Sequence, residues 1–145
     1  LDFSKIPNIV AIKEASGNIS QVAKIASLCQ DELAIYSGND DQVLPLLSLG
    51  GVGVISVLSN LYPQFVHDMV MDYFAGNFEK SKNAQLEALE LIDALFCEVN
   101  PIPVKAGLNM RGYDFGTPRL PLVPLSEKGS KMLQTAISNF EKTHA

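Results

Sequence analysis

Asn8-Ile9-Val10-Ala11-Ile12-Lys13-Glu14-Ala15-Ser16-Gly17-Asn18 decides how the other residues are read. An apolar run, Ile9 to Ile12, ends on a lysine, and a Ser-Gly-Asn turn follows. A continuous apolar run between turn signals fits a strand buried on both faces of a parallel sheet. Read as a strand over residues 8–13, it sets Lys13 at the carboxyl end, where α/β proteins place ligands and catalytic groups. An amine held there against apolar walls loses hydration, so its charged form is disfavoured and its pKa falls. A neutral lysine is the nucleophile that condenses with a ketone or aldehyde to give a Schiff base. The plainer alternative is a lysine that snorkels from a strand end into water. Spacing alone leaves both open.

Working outward, the same pattern repeats. Ser20 is the expected N-cap of a helix running to about Gln30, with Val22, Ile25, Ala26 and Cys29 facing the sheet. Residues 33–37 read as a second strand, and 41–49 as a helix in which Pro45 marks a late start or a kink. Residues 53–57 form a third apolar run. Ser59 or Asn60 is the expected cap of the next helix, with Pro63 in its first turn and Gly76-Asn77 at its end. Strands thus recur roughly every twenty to twenty-five residues, separated by helices, which calls for a parallel sheet with right-handed crossovers.

The second half differs. Residues 78–99 read as one long helix with Leu86, Leu89, Ile92 and Phe96 on one face. Asn100-Pro101-Ile102-Pro103 breaks it, and residues 104–110 read as a short helix opened by Pro103. A Pro-rich connection, 111–124, leads to a last helix starting at Ser126, with Met132, Leu133, Ala136, Ile137 and Phe140 inward. The plan is βαβαβα followed by three helices. Three parallel strands leave edges to be covered, and a closed (β/α)8 barrel takes about 250 residues. The expected fold is therefore α/β: the last three βα units of a TIM barrel over residues 1–76, then a C-terminal helical region over 77–145.

Composition narrows the function. The 145 residues are 47% hydrophobic and 19% charged, with a net charge of -5, as in an ordinary globular protein. No Lys/Arg cluster points to nucleic acid or an anionic membrane, and no apolar run approaches the roughly 18 residues of a membrane span. Cys29 and Cys97 read as reduced core residues of a cytoplasmic protein. The opening Leu1-Asp2-Phe3-Ser4-Lys5 lacks an initiator methionine, which fits an internal piece of a longer chain.

Other polar groups offer less. Glu14 points to the opposite strand face from Lys13, and is expected to pack rather than act as its base. Gly38-Asn39-Asp40-Asp41 would bring a helix N-terminus to an anion, or be a plain turn. Gly50-Gly51-Val52-Gly53 precedes a strand rather than a helix, which excludes a dinucleotide fingerprint. Asp40 and Asp41 are sequential and do not face one point as a dyad. His67 and His144 read as isolated, without partners at metal-ligand spacing, and Lys105 as a structural lysine.

Five segments then agree in order and spacing: 12–18 (Ile-Lys-Glu-Ala-Ser-Gly-Asn), 36–40 (Tyr-Ser-Gly-Asn-Asp), 50–57, 100–105 (Asn-Pro-Ile-Pro-Val-Lys) and 119–122 (Arg-Leu-Pro-Leu). Together they resemble the dihydrodipicolinate synthase family of pyruvate-dependent Schiff-base aldolases and lyases. The resemblance covers essentially the whole chain but only the second half of the family's length. It implies that Lys13 is the Schiff-base lysine, that the Ile55 main chain lines a pyruvate pocket, and that Gly38 lies beside it. It implies condensation of pyruvate with L-aspartate 4-semialdehyde in lysine and diaminopimelate synthesis. No metal and no cofactor other than the covalent lysine imine is implied. The expected setting is a cytoplasmic homo-oligomer, a dimer of dimers, whose partners are those two small molecules and the missing N-terminal half-barrel.

The family's tyrosine–threonine proton relay, its second tyrosine donated across the dimer, its carboxylate-holding threonine pair and its entrance arginine have no matching position here. Two alternatives therefore stand: a non-catalytic fragment that needs its other half, or a sister 2-keto acid aldolase such as N-acetylneuraminate lyase or a 2-keto-3-deoxy-sugar acid aldolase.

Overall fold

The computed structural model describes residues 2–29 and 32–144. After a 3-10 turn at Asp2–Lys5 come β1 (Ala11–Glu14), α1 (Ile19–Cys29), β2 (Ala34–Ser37), a 3-10 turn (Asp40–Gln42), α2 (Val43–Ser48) and β3 (Gly53–Val54). A further 3-10 turn (Leu58–Asn60) leads to α3 (Pro63–Phe74), α4 (Phe78–Glu87), α5 (Leu89–Leu95), α6 (Ile102–Met110) and α7 (Glu127–Thr143). The three strands form one parallel sheet in the order β1-β2-β3. The βαβαβα plan stands.

Several details differ from the sequence reading. Asn18, not Ser20, caps α1: its Oδ1 accepts from the Ser20 and Gln21 N–H groups at 3.0 and 3.3 Å. The expected end of that helix at Gln30 lies outside the described residues. The helix expected over 41–49 begins as the 3-10 turn, so Pro45 falls in the first turn of α2, where its missing N–H costs nothing. Neither Ser59 nor Asn60 caps α3, because both are engaged in the preceding turn; α3 starts on Pro63 with Tyr62 before it.

The sheet is not buried on both faces. Along β1, Ala11 and Lys13 are exposed, Ile12 is half-buried and Glu14 buried. Helices cover one face, where Val22, Ile35 and Leu46 form a small core with Ile12 and Ile25 beside it. Among the described residues no element covers the other face.

The helix expected over 78–99 is two helices that part at Ala88, so four helices, not three, follow the βα units. The face predicted to turn inward is also wrong in part. Leu86 and Phe96 are exposed, whereas Ser81, Gln85, Ala88, Leu91, Ile92 and Leu95 are buried. The polar pair is buried because each serves main-chain groups of another element. Ser81 Oγ donates to Met69 O at 2.7 Å, and Gln85 reaches the β2–α2 connection. Such groups are costly to bury without partners and inexpensive with them.

Ser126 caps α7 as expected, its Oγ accepting from the Gly129 N–H at 3.1 Å. Leu133, Ala136, Ile137 and Phe140 enter the main core, but Met132 is 44% exposed. That core is continuous from Val43 and Leu58 through Leu91 and Leu95 to Phe140, so βα units and C-terminal helices share it. None of the described helices is long and apolar enough to cross a membrane.

The far end of α7 is fastened by a polar and aromatic cluster. Arg111 lies 4.2 Å over the Tyr62 ring, donates to Leu61 O and pairs with Glu141 at 3.3 Å. Tyr62 OH donates to the same carboxylate at 3.0 Å. Burial, then this hydrogen bond and the Glu141 charge, push the Tyr62 phenol from 10.0 up to about 12, with Arg111 opposing. The unfolded chain therefore releases this proton first, and the folded state is favoured fully below pH 10, losing that advantage as pH climbs through about 12. Urea denaturation at stepped pH should show Tyr62→Phe with a shallower alkaline loss of stability than the unsubstituted chain. Identical alkaline slopes would contradict this account of the cluster.

Candidate active site

The register of the sheet assembles the site. Lys13 pairs with Tyr36, and Tyr36 with Gly53. In-register residues of a parallel sheet project to the same face. Lys13 and Tyr36 therefore share the uncovered face, and a Cβ on Gly53 would lie 3.3 Å from the Tyr36 ring. One residue on, Glu14 and Ser37 point to the helix-covered face, and both are buried. Glu14 is the packing carboxylate expected: its Oε1 accepts from Ser16 N–H at 3.1 Å and Gln21 Nε2 at 3.0 Å, shaping the turn after β1.

Gly38 follows β2 and donates its N–H to Glu14 O at 2.7 Å. A Cβ at this position would stand 2.8 Å from Lys13 Cε and 2.5 Å from Ala15 Cβ. The lysine stem passes directly over Gly38, and only a residue without a side chain allows that approach. Ser37 Oγ, donating to Asn39 O at 2.8 Å and accepting from Asn39 N–H at 3.1 Å, fastens the turn. The Ile55 N–H donates to Ser37 O at 2.7 Å, which draws Ile55 to the same corner. Gly38 thus lies against the Lys13 stem, and the peptide before it accepts from the Ile55 N–H. The strand expected over 53–57 is only Gly53–Val54, so Ile55 lies just past it, its side chain 51% exposed.

Lys13 itself is exposed. The apolar walls anticipated from the run before it do not surround it, because the run alternates between a covered and an open face instead of being enclosed.

Asp40 has a role that the sequence reading did not find. Its side chain is 2% exposed, and Oδ2 accepts from the Val57 and Leu58 N–H groups at 2.8 and 3.0 Å. Its other oxygen, Oδ1, is buried without a hydrogen-bond partner. At the turn itself the Asn39, Gln42 and Leu44 N–H groups donate to Ser37 Oγ, Asn39 O and Gln85 Oε1, and the 3-10 turn is three residues long, so the structure gives the anion-binding alternative no support. Asp41 is exposed, whereas the Asp40 carboxylate is buried on the Val57 and Leu58 N–H groups, so the two do not act as a dyad. Asn39, Asp40 and Asp41 line one wall of a 240 Å³ cavity whose other wall is Ile92, Asp93 and Phe96 of the helical region. No periodicity signals Asp40; it stands in what reads as a polar turn.

The remaining polar groups lie away from this corner. Lys105 Nζ donates to Thr117 O at 3.1 Å, a structural use as expected. His67 and His144 are not isolated: they pair with Asp68 at 3.1 Å and Glu87 at 3.4 Å. Among the described residues, no group of three or more His, Cys, Asp and Glu is placed to hold a metal ion. Both cysteines are free, and burial followed by the nearby Glu98 charge pushes the Cys97 thiol up.

An exposed amine thus stands at the carboxyl end of a parallel βα sheet, with a glycine and main chain beside its stem, the arrangement of a lysine-bearing α/β protein. The sequence profile of the dihydrodipicolinate synthetase family matches residues 2–140. The chain belongs to that family. It is 56% identical over 139 residues to the 4-hydroxy-tetrahydrodipicolinate synthase of Caldicellulosiruptor saccharolyticus, covering 96% of this chain and 47% of that protein. The structure of dihydrodipicolinate synthase from Thermotoga maritima superposes with a TM-score of 0.91 at 42% identity, over 95% of this chain and 48% of that one. The enzyme of Acinetobacter baumannii in complex with pyruvate gives 0.90 at 34% identity, over 95% and 47%. The chain thus spans about half the length of its relatives and is the C-terminal part of their TIM barrel.

The close approach at Gly38 is testable without any assumption about activity. Gly38→Ala should destabilise the fold by about 1–3 kcal/mol, because its methyl meets Ala15 and the Glu14 carbonyl as well as the movable lysine stem. Chemical denaturation measures this. A change within about 0.5 kcal/mol, the range of an ordinary surface substitution, would contradict the geometry.

Proposed function

We propose that this chain is the lysine-bearing half of a 4-hydroxy-tetrahydrodipicolinate synthase, and that Lys13 is its nucleophile. The observation that carries this is the passage of the Lys13 stem over Gly38, beside the Ile55 main chain, at the carboxyl end of the sheet. Family membership, and a relative solved with pyruvate, support the same reading.

The chemistry follows from the protonated imine that an amine forms with a ketone, which acts as the electron sink. Lys13 Nζ attacks the ketone carbon of pyruvate, and the carbinolamine loses water to leave a protonated imine. The imine nitrogen draws electrons from the adjacent methyl group, which gives up a proton to form an enamine. That carbon attacks the aldehyde of L-aspartate 4-semialdehyde. The substrate's own amine then closes on the imine carbon and displaces Lys13, which returns free. Gly38 and the Ile55 main chain border the pyruvate, and the imine itself is the only prosthetic chemistry needed.

A neutral, dehydrated amine is required for the first step. In this reading the walls that exclude water from Lys13, and the groups that hold the pyruvate carboxylate and relay protons, come from the half that precedes the matched region in the relatives. The complete protein would work in the cytoplasm as a homo-oligomer. A second reading, in which the chain is inert unless that half joins it, is favoured by the uncovered sheet face and by the exposure of Lys13.

Borohydride reduction with pyruvate tests both readings. The chain in complex with the preceding half-barrel of a relative should gain one reduced pyruvate on Lys13, and Lys13→Ala should gain none. Labelling that persists in Lys13→Ala would contradict the assignment. Labelling of the chain alone, at the rate of the complex, would contradict the need for its other half.

A further inference from the structure

We propose that Asp40 and Gln85 are positioning residues: Asp40 clamps together the main-chain segments carrying Gly38 and Ile55, and Gln85 holds the clamp from the C-terminal helices. The inference rests on the reading of Lys13 as the pyruvate-binding lysine, and extends it to residues that touch no reacting atom.

The geometry is a bridge closed at both ends. On the strand side, the Ile55 N–H donates to Ser37 O at 2.7 Å. On the far side, Asp40, two residues beyond Gly38, accepts from the N–H of Val57, two residues beyond Ile55, and from that of Leu58. Gly38-Asn39 and Ile55-Ser56 are thus pinned before and after the corner where the Lys13 stem passes. Among the described residues no other hydrogen bond ties residues 55–58 to 37–40, because β3 ends at Val54. A carboxylate accepting from two main-chain N–H groups makes stronger hydrogen bonds than a neutral acceptor would.

Asp40 is in turn held from outside the βα units. Gln85 Nε2 donates to Asp40 O at 2.8 Å, and Gln85 Oε1 accepts from the Leu44 N–H at 3.1 Å. Gln85 lies on α4, is 5% exposed and serves one main-chain group of the turn from which Asp40 projects and one in the first turn of α2 behind it. The helical region therefore sets the spacing of the pocket walls through one glutamine and one aspartate.

Position and stability are separable by experiment. In the complex with the preceding half-barrel, Asp40→Asn keeps an oxygen for the two N–H groups but loses the charge, and it puts an NH2 where Oδ1 has no partner. Gln85→Met keeps the shape and removes both hydrogen bonds. Ser81→Ala, one turn earlier on α4, removes a buried hydrogen bond that reaches α3 instead of the corner. All three should lower Tm.

Only Asp40→Asn and Gln85→Met should raise the pyruvate concentration for half-maximal borohydride trapping, by about tenfold, as misplacement of a positioned group does. The same two should speed hydrogen exchange at the Ile55 amide. If both lower Tm as Ser81→Ala does, with trapping and Ile55 exchange unchanged, their role is structural and the inference is overturned. Absence of trapping in the unsubstituted complex would overturn the lysine–pyruvate reading and this inference with it.

Discussion

Everything at the candidate site depends on the parallel register of β1 against β2, in which Lys13 lies beside Tyr36 and Glu14 beside Ser37. A slip of one residue would turn each side chain to the opposite face. Lys13 would then enter the small apolar core under α1 and α2, and Glu14 would lose its contacts with Ser16 and Gln21. The register is strongly specified because one face is buried and the other is not: Ile35 and Ser37 point to the helices, and neither Lys13 nor Tyr36 can replace them there. Gly38 completes the constraint, since the stem of a long side chain can cross the next strand's end only where no Cβ stands.

Around that corner the protein uses buried polar groups as fasteners. Glu14 shapes the turn after β1, Ser37 the turn after β2, and Asp40 the loop after β3. Gln85 and Ser81 carry the same logic to the helical region: Gln85 accepts from the first-turn Leu44 N–H of α2, and Ser81 donates to Met69 O of α3. Hydrogen bonds of this sort add little net stability but are expensive to leave unmade. They therefore fix geometry more than they stabilise, which suits a site whose walls are main chain.

Much of this was legible in the sequence. Apolar runs ending in turn residues locate the three strands, and the segments around Lys13 and Gly38 mark the corner. Ser126 announced its helix by residue type alone. What escaped reading escaped for physical reasons. An alternating open-and-covered face looks, in a run of Ile, Val and Ala, like burial on both sides, since small apolar residues tolerate either. Leu86 and Phe96 drew the inward face of the long helix toward themselves, whereas Gln85 and Ser81 are the residues buried. Helical periodicity weighs apolar character and is blind to a polar side chain that is buried to serve another element's main chain. Asp40 was hidden in the same way, as an ordinary turn residue whose partners lie 17 and 18 positions away.

The central claim is covalent: the Lys13 amine condenses with the carbonyl of pyruvate at this corner of the sheet. NMR of the complex between this chain, labelled with nitrogen-15 on lysine side chains, and the preceding half-barrel tests it most directly, using pyruvate labelled with carbon-13 at the ketone. The account predicts an imine carbon resonance coupled to the Nζ of Lys13 and lost in Lys13→Ala. Signals from free ketone and hydrate alone, or coupling to any other lysine, would contradict it.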